Sequence, residues 1–250
     1  MNSMSEKTFF LYDLHLRTSV NQSAQDLVNK AMTNGFESIG IVQNLSPAGT
    51  ETNDDLQKFL NGAKNYPCYM GLKPAAPGWS KNLSKELVAQ YDYILMTPQY
   101  LTNGNKYGDL MDVKDFNTYV DDLEDFMKRN MEWYLKILNN EDEPLDIFGW
   151  PLFLPISIQR EYYLLWTKER MEQIVEAARK NRIAFEINDL AHTPHAEFIL
   201  MAKKAGVKFT FGSDTAGDVR SFRLDYCKDV ATLCHLTEND FFIPVRKPRK

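Results

Sequence analysis

Short apolar runs alternate along this chain with stretches in which apolar residues recur every three or four positions. The runs fall at residues 8–14, 38–43, 67–73, 91–97, 145–150, 183–188 and 208–213. Each reads as a strand bounded by turn-forming residues. Helical spacing occupies the intervals, near residues 24–34, 54–65, 81–90, 116–138, 168–181, 194–205 and 222–233. Seven strand-then-helix units with short connections predict a parallel sheet with helices outside it. The expected fold is α/β, a distorted (β/α)7 TIM-like barrel, formed as one domain over residues 1–250. A chain of this length fits one such barrel undivided.

Local signals agree with this division. Ser23 precedes the first helix, Leu27, Ala31 and Met32 share one of its faces, and Gly35 closes it. Thr193-Pro194 predicts an N-cap followed by proline at the first helical position, and Gly206 ends that helix. Two segments exceed minimal connections. Residues 98–115 are rich in Asn, Gly, Tyr and Asp, and precede a long amphipathic helix that faces either the core or a second copy. Residues 152–166 are strongly aromatic, and read as a lid or as packing over the barrel.

Composition narrows the function classes. Hydrophobic and charged contents of 44% and 25% are those of an ordinary globular protein. A net charge of −5 and a pI near 5.5 argue against a nucleic-acid partner. The basic end Arg246-Lys247-Pro248-Arg249-Lys250 reads as a solvated terminus or as an anion or partner contact. Cys68, Cys227 and Cys234 cannot all pair and have no metal-ligand spacing, which suits small buried hydrophobes in a reduced compartment. No run reaches membrane-spanning length and no apolar leader precedes the first strand. The expectation is a cytoplasmic protein without a membrane partner, or one whose signal peptide has been removed.

Candidate chemistry lies at strand ends. Asp13-Leu14-His15-Leu16-Arg17 closes the first apolar run, and alternation in a strand would put Asp13 and His15 on one face. In a parallel barrel the C-terminal strand ends build the site. A second run ends in an acid, at Phe211-Gly212-Ser213-Asp214.

These segments together resemble the PHP (polymerase and histidinol phosphatase) superfamily of metal-dependent phosphoesterases. The first resembles the family's Asp-x-His-x-His. Ile39-Gly40-Ile41-Val42-Gln43-Asn44 is similar to Ile-Gly-Ile-Thr-Asp-His, Gly71-Leu72-Lys73 to Gly-Ile-Glu, and the segment ending at Gln99 to one ending Ser-Val-His. Gly149-Trp150-Pro151 is similar to Gly-His-Pro, while Glu186-Ile187-Asn188 and Gly212-Ser213-Asp214 match as they stand. The string Trp150-Pro151-x-Phe-Leu-Pro, with Leu165-Trp166-Thr167, resembles a bacterial subgroup with eroded ligand motifs. The resemblance implies the barrel fold and a site at its mouth. It also shows where ligands are missing: Arg17, Asn44, Lys73, Gln99, Trp150 and Ala216 stand at positions that bind metal in the family. A multinuclear centre is therefore not expected.

The residues expected at the mouth are Asp13, His15, Arg17, Gln43, Asn44, Lys73, Gln99, Trp150, Glu186, Asn188 and Asp214. Arg17 and Lys73 either neutralise acids that have lost a metal or clamp an anionic ligand. On the first reading Lys73 lies within salt-bridge distance of Asp13, Glu186 or Asp214. On the second, Arg17 points into a pocket bounded by Trp150 and residues 162–166. Gln43, Asn44, Gln99 and Asn188 suit a hydroxyl-rich ligand or bond to one another. Trp150 either stacks on a ligand or plugs vacated space. His192 and His195 read as a surface pair, and His235 as a helix-end residue.

Three functions compete. In the first, a site with no metal, or a single divalent ion, binds a small polar or anionic molecule: phosphate, a sugar phosphate or a sugar acid. In the second, a metal-dependent phosphoesterase uses His15, Asp214 and Glu186 as catalytic residues. One divalent ion would sit on His15, Asp214 and Asp13, with help from Glu186 or His192. In the third, the barrel is a non-catalytic scaffold, as metal-free PHP-like barrels are in ribonuclease P, a role that the acidic balance disfavours.

Overall fold

Alternating inward and outward side chains turn the apolar runs into a barrel wall. The computed structural model describes residues 11–18, 23–47, 49–102, 110–215 and 222–248. Its strands in chain order are β1 (Tyr12–Leu16), β2 (Ser38–Asn44), β3 (Tyr69–Lys73), β4 (Tyr93–Met96), β5 (Tyr100–Thr102), β6 (Leu110–Asp112), β7 (Ile147–Phe148), β8 (Ala184–Asn188) and β9 (Phe209–Gly212). The helices are α1 (Ala24–Thr33), α2 (Asn53–Ala63), α3 (Lys85–Val88), α4 (Leu123–Leu138), α5 (Tyr162–Leu165), α6 (Lys168–Asn181), α7 (Ala196–Lys204) and α8 (Asp225–Leu233). Seven strands form one parallel sheet in the order β1-β2-β3-β4-β7-β8-β9. The bridge from Leu16 to Thr215, with Arg17 N–H donating to the Thr215 carbonyl at 2.9 Å, brings the last strand's end back to the first. The result is a nearly closed, seven-stranded TIM-like barrel.

Leu14, Val42, Tyr93, Leu95, Ile147 and Ala184 fill its interior. The Tyr93 hydroxyl donates to the Leu14 carbonyl at 2.6 Å, and its ring lies where a Cβ on Gly40 or Gly71 would have to be. Those two glycines let one tyrosine span the barrel. The outward faces pack against the helices as the main core, with Phe148, Phe185, Phe209 and Phe211 fully buried.

Caps follow the local chemistry. Ser23 and Asp26 form a capping box on α1, as do Thr52 and Asp55 on α2. Three boundaries differ from the sequence expectation. The long helix begins only at Leu123, where Asp122 accepts two backbone N–H groups, and Phe116 and Tyr119 lie exposed before it. The helix after β8 starts at Ala196, because Thr193 is occupied in an antiparallel bridge with Asn188. Residues 98–115 contain the antiparallel pair β5–β6, whose irregular pattern concealed it.

The C-terminal segment continues to Pro248 across the far end of the barrel. Phe241 bridges to Phe209, Lys247 N–H donates to Asp92 at 2.6 Å, and Arg246 sits 5.2 Å from the Tyr69 ring. The basic end is thus anchored as far as Lys247 and is not simply solvated. All three cysteines are buried, and none is in a disulfide.

Candidate active site at the barrel mouth

The site begins with a break in β1. Its register against β2 shifts between Asp13 and Leu16, and Asp13 and His15 are both fully buried at that break. Asp13 Oδ1 accepts the backbone N–H of His15 at 3.0 Å and of Ser213, across the closing seam, at 3.1 Å. The Asp13 carboxylate therefore joins the first strand to the end of the last. Burial raises its pKa to about 6, against the opposing hydrogen bonds from Ser213 and His15.

His15 lies fully buried between two acids. Its Nδ1 is 2.5 Å from Glu186 Oε1, and its Nε2 is 3.2 Å from Asp214 Oδ1. Glu186 is held by its other oxygen, which accepts the Trp150 N–H at 3.0 Å. Trp150 and Asp214 both have positive φ, 48° and 50°. For a bulky buried tryptophan that is an outlier, and such backbone persists where the surroundings over-determine it.

Above these acids three cations converge. Arg17 Nη2 donates to the Asp214 carbonyl at 2.9 Å, with its Nε 3.5 Å from Oδ1. Lys114 Nζ reaches Asp214 Oδ2 at 3.1 Å and lies 4.1 Å from the centroid of the Trp150 ring. Lys73 Nζ lies 5.5 Å from the same centroid. Burial alone would raise the Asp214 carboxyl, but the charges of His15, Lys73, Lys114 and Arg17 outweigh it and hold it at about 2. Burial pushes the Lys73 ammonium down, with Asp214 opposing and Lys114 and Arg17 reinforcing the shift.

Arg17, Lys73 and Lys114 line a cavity of about 390 Å³ together with Asn44, Gln99 and Tyr100. Glu51 is the acid on its wall, and its carboxylate is engaged by Ser46, through the backbone N–H at 2.8 Å. Gln99 gives its amide nitrogen to Asp112 at 3.1 Å.

Several expected residues stand elsewhere. Gln43 and Asn44 are adjacent in β2, so only one can face inward. Asn44 does, while Gln43 donates to the Asp55 carbonyl at 3.3 Å and accepts from the Tyr91 hydroxyl on the helix side. Asn188 is buried and accepts the Ala191 N–H at 2.8 Å, ordering the loop after β8. Trp150 is a floor beneath the two lysines and does not line the cavity. The Lys73 backbone carbonyl accepts the Leu45 N–H at 2.9 Å, but its ammonium is not within 4.0 Å of Asp13, Glu186 or Asp214, and its side chain has no hydrogen bond or ion pair among the described residues. That corrects the compensation expected from sequence, because Lys114 occupies the place beside Asp214 instead. Tyr162 and Tyr163 line a separate cleft with His192 and His195, so they do not bound the pocket of Arg17. The Tyr162 hydroxyl contacts His195 Nδ1 at 2.9 Å, and His192 stacks on Tyr226. Ala216 lies outside the described residues.

Among the described residues no group of three or more His, Cys, Asp or Glu side chains is placed to hold an ion. His15 Nδ1 is engaged by Glu186 Oε1, while the approach of Nε2 to Asp214 Oδ1 at 3.2 Å does not make a hydrogen bond. Asp214 already carries Arg17 and Lys114. Asp13 Oδ2, His15 Nε2 and Asp214 Oδ1, on the three residues expected to carry a single ion, are buried with no hydrogen-bond partner among the described residues.

Lys114 was missed from sequence. It follows the hairpin β5–β6, inside a segment whose composition reads only as loop, and no local pattern directs it to the mouth.

No family model matches the sequence, and no curated protein matches it. Among solved structures, the fold is similar to histidinol phosphate phosphatase from Lactococcus lactis subsp. lactis Il1403, a structure complexed with zinc, L-histidinol and phosphate. The TM-score is 0.62 at 13% identity, over 94% of this chain and 100% of that one. A chain in archaeal ribonuclease P with mature tRNA aligns over 96% of this chain and 99% of its own, at 11% identity and a TM-score of 0.43. The second likeness is too distant to carry an argument. The first establishes the architecture: a barrel of the phosphatase's kind, carrying lysines and an arginine at its mouth.

Proposed function

We propose that this barrel, a single domain across the chain, binds a small anion at its mouth without a metal ion. Phosphate, a sugar phosphate and a sugar acid are the ligands that suit it. The observation that carries the reading is the placement of Lys73: a lysine only 9% exposed, on the wall of a polar cavity, with Arg17 and Lys114 beside it. Three cations around one cavity repel each other, and a bound anion relieves that repulsion. Arg17 presents a planar fork suited to paired phosphate or carboxylate oxygens, while each lysine acts as a point charge. Asn44 and Tyr100 add neutral partners for hydroxyl groups. The Lactococcus protein of similar fold is complexed with phosphate as well as zinc. We carry the anion over to this chain and leave the metal, because these residues supply fixed positive charge where a metal would.

The acids below serve as scaffold. Glu186 holds His15 and the Trp150 backbone, and Asp214 orients Arg17 and Lys114 toward the cavity.

Thermal unfolding with phosphate, glucose 6-phosphate, gluconate and glucose tests the reading. At 100 times its dissociation constant an anion adds about 2.7 kcal/mol, a rise of roughly 5–10 °C for a chain of this size. Glucose should give none. Arg17→Ala should lose most of the rise while remaining folded. Equal rises in the wild type and the variant would remove Arg17 from the site, and no rise with any anion would refute the reading.

A further inference from the structure

Of the three cations at the mouth, two are committed to holding charge. Lys114 and Arg17 are both anchored on Asp214, at 3.1 Å and through the 2.9 Å bond to its carbonyl. Lys73 is different. It ends β3 on the barrel wall, in register with Asn44, so a rigid strand positions its side chain. Its side chain makes no ion pair or hydrogen bond among the described residues, and its nitrogen lies over the Trp150 ring, 5.5 Å from the centroid. A lysine kept for structure would be paired with an acid. This one is buried, set beside two other cations, and opens on a cavity large enough for a small molecule. Burial and the two neighbouring cations lower the Lys73 pKa, with Asp214 opposing, so the neutral amine, whose lone pair is a nucleophile, is easier to reach here than on an exposed lysine.

We propose that Lys73 forms an imine with the carbonyl group of a small aldehyde or ketone that also bears a phosphate or carboxylate. The inference rests on the anion-binding reading and names its substrate class. Arg17 and Lys114 would hold the anionic group, placing the carbonyl carbon against Lys73 Nζ. The amine lone pair forms the C–N bond as the carbonyl π pair moves to oxygen, giving a carbinolamine. That oxygen then leaves as water with the two amine hydrogens. The balance is one imine and one water from one amine and one carbonyl, with no change in oxidation state.

Reductive trapping of the intact protein tests this. Pyruvate, dihydroxyacetone phosphate and acetone are each incubated with the protein and sodium cyanoborohydride, and adducts are mapped by mass spectrometry. The expected result is one dominant adduct, on Lys73, with the two anionic carbonyls. Acetone should not give it, and saturating inorganic phosphate should suppress it. Lys73→Arg, which keeps a cation but has no nucleophilic amine, should lose the adduct. If that variant does not fold, the mapped position in the wild type decides alone. Adducts scattered over surface lysines, with Lys73 unmodified, would overturn the proposal. A phosphate shift without a Lys73 adduct would overturn the imine and leave the anion site standing. Neither shift nor adduct would overturn both.

Discussion

Asp13 and His15 stand two positions apart at the irregular end of β1, both fully buried, and take different partners. Asp13 bonds main-chain N–H groups at the seam, while His15 takes the place between Glu186 and Asp214. The two acids then have opposite pH signatures. With a folded pKa of about 6 against an ordinary 3.8, Asp13 makes the folded state bind the extra proton. Its contribution to stability therefore falls as pH rises from about 4 through 6. Asp214, held at about 2, contributes stability that is fully present above about 4 and is lost as pH falls through 2. Asp13→Asn should remove the first slope only. Between about pH 4 and pH 8 the wild type should lose on the order of 3 kcal/mol that the variant retains, measured by urea unfolding at each end. Parallel curves for the two proteins would refute that assignment. The sequence named both acids as residues, but their division of labour depends on tertiary contacts that no local pattern announced.

At the scale of elements, the strands were legible because their apolar runs are continuous, and the barrel followed from their alternation with helices. The hairpin β5–β6 was not legible, since its two strands have three residues each and lie in a polar segment. Lys114 arrives at the mouth through it, and that contact depends on tertiary placement. Lys114→Met should weaken phosphate binding about tenfold or more, a loss of roughly 1.5–3 kcal/mol, read by calorimetry. Glu186 gives a second element-level test. Its carboxylate occupies the space a Cβ on Gly212 would need, and the His15 Cβ crowds the same point at 2.9 Å. Gly212→Ala should therefore cost about 3 kcal/mol or more, and combining it with Glu186→Ala should cost less than the sum of the two. Strict additivity in unfolding free energies would show that β8 and β9 do not compete for that space.

Over the whole molecule, a net charge of −5 surrounds a mouth where three cations converge. Among the described residues no helix is long and apolar enough to cross a membrane. The acidic composition was visible at once, and the basic mouth was not, because its residues come from strands and loops far apart in sequence. Arg17 and Lys73 were legible as departures from a ligand pattern. Their fate was not, since pairing with acids and facing a ligand require the same residue types. Distance decided it: Lys114 reaches Asp214 Oδ2 at 3.1 Å, and Lys73 is left on the cavity wall. The most direct test is calorimetric titration of inorganic phosphate into chelator-treated protein, repeated after adding zinc. The account predicts saturable binding without metal, unchanged by zinc and strongly weakened in Lys73→Met. Binding that appears only once zinc is present would contradict it.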